Sequence, residues 1–369
     1  MARRTPVLKP RQATQRDLQF RESTAPSAEE QLLFLDKLQR ILAEGQVQST
    51  YKYALLHALS DLCQTSDDSG LQELVLPTRN IAARMIELYW GQAAEFVMPG
   101  GETSTLVQDK GGQRIVLEKI RVHLNKTGRS PSSSVTQKEV RENLASEFDH
   151  KLRAMPLPRL QNVPNGPDPF LYRIEGRVII LRPGVGYCFR RFHGLVLQLV
   201  ESAWLRFVRR CNRLEGAGAD LEAFLFGMNR ISLEPLRESL RDLQAARCFF
   251  CAKSLGPSTH IDHFVPWSHH QANLGHNLVL ADDRCNLGKS DQVPSERLLS
   301  LWVRRNVDSG IYLDEECERL GQVHDIRAAG AVARAYYEQA DMAGLSTWDP
   351  KVAPSILGGA WRALLAEHP

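Results

Sequence analysis

The sequence predicts an α+β fold in which helix predominates, on three observations. Apolar residues recur at helical spacing through much of the N-terminal half, and they do so again beyond Ser300. Between these regions, Cys248 to Asp291 reads as strand, loop, strand and short helix. With 369 residues and 43% hydrophobic content, the chain can form two or three packed units with ordinary cores.

Residues 1–29 carry Arg3, Arg4, Lys9, Arg11, Arg16 and Arg21 among polar neighbours and read as a basic flexible arm. Such an arm is either a solvated tail or a nucleic-acid-binding extension. A helical N-terminal domain is expected over 30–154. Leu32, Leu33, Leu35, Leu38, Ile41 and Leu42 mark one amphipathic helix, and Tyr51, Ala54, Leu55, Ala58, Leu59 and Leu62 mark a second. The helical pattern resumes from Ile81 to Phe96, whereas Lys126 to Ser134 has the Gly, Pro and Ser content of a loop. Thr136 and Glu139 have capping-box spacing and open a helix reaching about Leu152.

Five prolines between Met155 and Pro169 argue against a regular element and mark an expected boundary. The region 155–247 then begins with a hairpin, Phe170 to Arg173 and Val178 to Leu181, turning around Glu175-Gly176. A long helix follows from Leu195 to Arg213. Between Arg173 and Arg213 stand nine arginines and two acids, interleaved with Tyr187, Phe189, Phe192, Trp204 and Phe207. On a 3.6-residue period Arg206, Arg209, Arg210 and Arg213 share an arc of about 100°, while Val200, Ala203, Phe207, Val208 and Cys211 fill another face. That charged face suits either nucleic-acid phosphates or acidic residues of the tail; the aromatics suit a core. Beyond residue 300 the C-terminal region (301–369) is helical, most clearly at Leu313 to Leu320 and Ile326 to Tyr337.

Seven scattered cysteines do not resemble a secreted disulfide framework, so a reducing, cytoplasmic setting is expected. The N-terminus lacks the apolar stretch of a signal peptide, and no apolar run reaches membrane-spanning length, so no membrane partner is expected. A net charge of +3 is too mild to identify a polyanionic partner by itself.

The chemistry-bearing segment is 248–300. Cys248 and Cys251 form a C-x-x-C pair able to grip Zn²⁺ from a tight turn, and Cys285 returns as a third thiol. Asp282 stands where a second C-x-x-C would place its first cysteine, so the candidate structural zinc site is three thiolates and one carboxylate. The alternative is a set of buried thiols without metal. Asp262 and His263 lie side by side in an apolar-flanked strand; Asn286 and Lys289 follow on the short helix. His269, His270 and His276 belong to the connecting loop and are expected to be exposed.

Together, Asp262-His263, Asn277-Leu278 and Cys285-Asn286 with Lys289 resemble the HNH, or ββα-metal, nuclease family over about one eighth of the chain. The resemblance implies a ββα-metal core with a large helical N-terminal region and a helical C-terminal tail. It implies His263 as general base and Asn277 as the brace of the interstrand loop. Asp262 and Asn286 would hold Mg²⁺ or Mn²⁺, and Lys289 would serve nucleic-acid binding beside Arg206, Arg209, Arg210 and Arg213. The substrate would be DNA, cut to a 5′-phosphate and a 3′-hydroxyl, in a bacterial restriction or anti-phage setting with possible partner proteins. Asn286 replaces the final His of the family's name, which an amide oxygen tolerates; Asp282 in place of Cys touches only the zinc. The competing class is a non-catalytic zinc-containing DNA- or protein-binding module.

Overall fold

The computed structural model describes residues 25–44, 49–66, 68–109, 115–127, 137–163, 166–214, 219–227, 233–271 and 273–368. Most of the expected basic arm, most of the Lys126 to Ser134 loop, and the cap at Thr136 lie outside the described residues.

Helix dominates the N-terminal half. Helices α1 (Ala28–Glu44) and α2 (Tyr51–Gln64) match the two amphipathic stretches. Strand β1 (Leu74–Pro77) leads directly into α3 (Thr78–Trp90), which ends at Gly91 rather than running to Phe96. Phe96 instead belongs to β2 (Phe96–Val97), paired with β3 (Thr103–Ser104). Helices α4 (Ile115–Thr127) and α5 (Gln137–Ala154) follow, the first of them not foreseen.

The proline-rich stretch departs from expectation. It holds a one-turn helix, α6 (Pro156–Arg159), and a small strand pair, β4 (Asn162–Val163) with β5 (Gly166–Pro167). Proline is tolerated in the first turn of a helix, where the missing N–H has no partner to lose, and Pro156 sits there. The hairpin forms as read, β6 (Tyr172–Glu175) against β7 (Val178–Leu181), with Gly176 at φ 60° in the turn. β1 pairs with the far edge of β7 and completes a three-stranded antiparallel sheet. Helices α7 (Val185–Arg191), α8 (His193–Asn212) and α9 (Ala219–Glu222) close this half.

Two apolar cores divide the chain. One runs from Phe34 to Leu225, straight through the proline-rich stretch, so the residues on both sides of Met155 pack into the same interior. The other runs from Leu236 to Leu365. The cores therefore part near residues 226–235 rather than at 155, because Leu157, Leu160, Phe170 and Leu171 are buried with the N-terminal helices.

The second core gathers α10 (Arg237–Leu243), β8 (Thr259–His263), β9 (Leu278–Asp282) and α11 (Asp283–Lys289) under long helices. These are α12 (Glu296–Arg319), opened by a Ser295 cap, and α13 (Ile326–Met342), opened by an Asp325 cap. Strands β10 (Val293–Pro294) and β11 (Thr347–Trp348) pair in parallel, and α14 (Trp361–Ala366) lies against α12 and α13. No described helix is long and apolar enough to cross a membrane. The two units touch through α13: the Gln339 amide donates to the Arg190 carbonyl at 2.8 Å.

Candidate active site

The site is a hook of two antiparallel strands and a helix. β8 and β9 pair with Asp262 opposite Val279 and His263 opposite Leu278. β9 is almost wholly buried, while β8 is half-exposed along its functional end. Before β8, the chain folds back in a tight knuckle, where the Cys248 N–H donates to Lys253 and the Ala252 N–H to Cys248, both at 2.8 Å. Ala252 takes φ 63° to make that turn.

The knuckle delivers Cys248 and Cys251 to the end of β9. One ligand atom from each of Cys248, Cys251, Asp282 and Cys285 lies within 4.8 Å of the others. A tetrahedral zinc with metal–sulfur bonds of about 2.3 Å needs sulfurs about 3.8 Å apart, so the cluster fits that ion. Asp282 divides its carboxylate: Oδ1 caps α11 by accepting the Cys285 N–H at 2.9 Å, and Oδ2 accepts the Cys251 thiol at 3.0 Å. Burial pushes the Cys248 thiol up to about 11, and burial with the neighbouring sulfurs raises Cys285 further. A cation among them would remove that penalty by stabilising the thiolates.

Asn277 ties the loop between the strands. Its Oδ1 accepts the Val265 N–H at 2.8 Å, its Nδ2 donates to the Val265 carbonyl at 3.0 Å, and its own carbonyl accepts the Phe264 N–H at 2.7 Å. Only 1% exposed, it fixes where the chain leaves β8 without facing solvent. Behind it Phe264 stacks on Trp302 of α12 with ring centres 5.0 Å apart, anchoring the loop to the core.

Asp262 faces α11. The His263 N–H donates to its Oδ1 at 2.8 Å, while its buried Oδ2 turns toward Lys289. Lys289 Nζ stands 3.1 Å from that oxygen in ion-pair contact. Burial holds the Asp262 carboxyl above the usual range, against the pull of Lys289. Lys289 is itself wholly buried, with Phe250 nearby, and burial keeps its ammonium below the ordinary lysine value. Its expected place at a nucleic-acid backbone is therefore corrected: its charge is used inside, on Asp262. A buried carboxylate oxygen that faces an ammonium can also serve a hard divalent cation, and Asn286, half-buried one turn before Lys289, offers an amide oxygen on the same helix.

His263, half-buried, meets a different partner. Its Nε2 lies 2.9 Å from Asn273 Oδ1, a contact that holds the ring in place. The Trp267 ring is 5.2 Å away. Asn273 went unnoticed in the sequence, because a loop asparagine carries no signal without its partner. The three loop histidines are also corrected. His270 and His276 are 1% and 0% exposed, and His269 packs against Tyr336 of α13 with ring centres 4.5 Å apart. Helices on both sides cover the loop that sequence reading had left in solvent.

Residues 250–295 match the family model described as HNH endonuclease. This segment is similar to HNH endonuclease domains. A second model, a domain of unknown function (DUF8808), matches residues 32–173 and likewise runs through the proline-rich stretch. No curated protein matches the chain, and no solved structure does. The HNH match takes in the hook, Asp262, His263, Asn277 and Asn286, and two of the three clustered cysteines.

Around the HNH domain lies charge that the motif does not explain. On α8, Arg206 and Arg210 are exposed and Arg209 is half-buried; Arg213 caps the helix at φ 54° and leaves its regular face. The buried cluster His57, Asp61, Arg84 and His193 meets the HNH loop where Arg84 reaches the Gln271 carbonyl at 3.5 Å.

Proposed function

We propose that the chain is a metal-dependent endonuclease that hydrolyses DNA phosphodiester bonds at the end of β8. The observation that carries this reading is the buried Oδ2 of Asp262, which faces the Lys289 ammonium, next to an imidazole held by Asn273. A neutral His263 takes a proton from water attacking phosphorus; general-base help of this kind is worth about 10²- to 10⁴-fold. Asp262 and Asn286 would hold Mg²⁺ or Mn²⁺, which supplies charge stabilisation for the phosphoryl oxygens and the leaving oxygen. Asn277 positions rather than reacts, because its buried side chain is spent on the N–H and carbonyl of Val265. The cysteine cluster would hold a structural zinc that pins the knuckle to α11.

The exposed arginines of α8 support a role in holding the duplex. Arg206 lies 13 residues along α8 from His193, about 20 Å at a rise of 1.5 Å per residue. His193 itself is next to the HNH loop, its ring centre 6.2 Å from that of His270. A duplex gripped at both places would be spanned over about six base pairs at 3.4 Å each. The biological setting proposed with it is bacterial restriction or anti-phage defence, with partner proteins as further components.

The test is incubation of supercoiled plasmid with the purified chain and Mg²⁺ or Mn²⁺, with and without EDTA. Wild type should relax or linearise the plasmid, EDTA should stop it, and His263→Ala should lose activity with its fold unchanged. Equal cutting by wild type and His263→Ala would sink the assignment of the base. Inert wild type that still shifts DNA in a gel would favour the zinc-containing binding module.

A further inference from the structure

The N-terminal end of α8 opens into a cavity of about 380 Å³ where the helical unit meets the HNH loop. Phe192 stands at the N-cap and offers no side-chain hydrogen bond, and the first bond of the helix runs from the Val196 N–H to the Phe192 carbonyl at 2.8 Å. The N–H groups of His193, Gly194 and Leu195 therefore have no partner inside the helix. Gly194 and Leu195 are exposed and line the cavity, so these two donors are within reach of an occupant. The aligned peptide dipoles of a helix add roughly half a positive charge at this end.

Gln64, at the end of α2, lines the same cavity and is 2% exposed. Its Oε1 is sealed in without a hydrogen bond, and among the described residues nothing accepts from its NH2, so a buried amide faces the cavity with no partner. Ser268 brings an exposed hydroxyl from the HNH loop. Arg191 also lines the cavity, but its Nε is sealed and its Nη1 faces the Met342 sulfur, so it is not counted among the donors. Asp291 is the carboxylate in the lining, and it is exposed. Neutral donors at a helix N-terminus attract an anion, while Asp291 repels a doubly charged one twice as strongly as a singly charged one. A phosphodiester carries a single negative charge.

We propose that this cavity seats a phosphate of the DNA backbone flanking the one that is cut, its oxygens accepting from the Gly194 and Leu195 N–H groups and from Gln64. The inference rests on the nuclease reading and adds to it the residues that fix where the strand lies. Ser268 and His269, which line the cavity, follow His263 in the same loop. A phosphate held there sets the approach of the scissile bond to His263 and carries no sequence preference of its own. The exposed Arg206 and Arg210 lie further along the same helix, so α8 meets the backbone at more than one phosphate.

Two variants remove these donors while sparing the fold. Gly194→Glu meets open space and puts a carboxylate at the helix N-terminus, where it serves the free N–H groups and takes the place of the phosphate. Gln64→Met keeps the side-chain length and deletes a buried, unpaired amide. Both should unfold at or above the wild-type midpoint. Binding of a short duplex to the full chain, followed by fluorescence anisotropy with no divalent metal added, should weaken about ten- to a hundredfold in each, as expected for lost hydrogen bonds to a charged group. A single neutral methylphosphonate, moved along the strand, should weaken wild type at one position beside the cut and leave Gly194→Glu unaffected there. Duplex binding equal to wild type in both variants, weakened binding with a lowered midpoint in both, or methylphosphonate effects unchanged in Gly194→Glu would each overturn the proposal. Inorganic phosphate that displaces the duplex from wild type but not from Gly194→Glu, at matched ionic strength, would assign the cavity to the free anion and overturn it too. Wild type that cuts plasmid leaves the nuclease reading standing through all of these, whereas wild type that binds no duplex would sink both.

Discussion

Replacing Lys289 by Met removes a buried cation from beside a buried carboxylate while keeping the aliphatic stem in place. The side chains of Lys289 and Asp262 are 0% and 15% exposed, so solvent screens the pair little. At 3.1 Å their attraction comes to about 5 kcal/mol with an effective dielectric of about 20, before the cost of burying lysine is subtracted. Removing one partner of such a pair typically costs about 3–5 kcal/mol. The residual exposure of Asp262 and the hydrogen bond it accepts from the His263 N–H place the loss near the lower end, about 3 kcal/mol. Urea unfolding near neutral pH reads it directly. Asp262→Asn combined with Lys289→Met should recover most of the loss, because no unpaired charge remains. Millimolar Mg²⁺ should stabilise Lys289→Met more than wild type, since the lysine no longer competes for the carboxylate oxygen. A loss under about 1 kcal/mol would show that the pair is not stabilising. Equal stabilisation of both proteins by Mg²⁺ would show that Asp262 does not hold the cation.

The remaining expectations use other parts of the chain. Burial works against a charged His57, but Asp61 and Glu201 outweigh it and hold the imidazole up to about 9, from an ordinary 6.5. A raised folded value means that the stabilisation is complete below pH 6.5 and is lost as pH rises to about 9; unfolding midpoints across that window should fall in wild type and stay flatter in His57→Gln. Asp61, held well below the carboxylate range against burial by His57 and Arg84, contributes the opposite limb, lost as pH falls. Elemental analysis of purified protein should find zinc bound in a one-to-one ratio, lost in Cys248→Ser and Cys285→Ser; zinc retained in both would remove the cluster from consideration. Arg206→Gln with Arg210→Gln should lower the slope of log affinity against log salt for DNA by about 2, at about 0.9 per phosphate contact, with stability unchanged; an unaltered slope would take α8 out of the interface.

The hook was legible because its signal is local. Asp262-His263, Asn277 and Cys285-Asn286 fall within a few dozen residues, and their combination carried the resemblance to the HNH family. α1, α2, α5 and the β6–β7 hairpin were legible too, from periodicity and from the Glu175-Gly176 turn. What failed was long-range. Nothing near Lys289 in the chain signals that Phe250 and Asp262 will enclose it, so a lysine beside a metal motif looked like a phosphate contact. His270 and His276 looked like loop residues because the helices that bury them come from far away in sequence. The prolines of 155–169 suggested a boundary, but a boundary is set by which apolar residues share an interior, and Leu157, Leu160 and Phe170 share that of the N-terminal helices. β1 was missed because it is only four residues long.

The dependence of the hook on its surroundings follows from its size. A two-stranded pair with one short helix buries too little apolar surface to stand alone in water. Here Phe264 is held by Trp302, and the Trp302 indole N–H donates to the His276 carbonyl at 2.9 Å, so α12 is part of the hook's support. On the other side Arg84 reaches the loop at Gln271 and is itself oriented by Asp61, at 2.7 Å. Both ends of the loop that presents His263 are thus fixed by residues outside the HNH segment. A change that loosens α12 or the Asp61–Arg84 pair should lower cutting without touching Asp262, His263 or Asn286, because a base displaced by about 1 Å can lose about 10²-fold in rate. Control of the proposed active site would therefore lie in the helices that cover it.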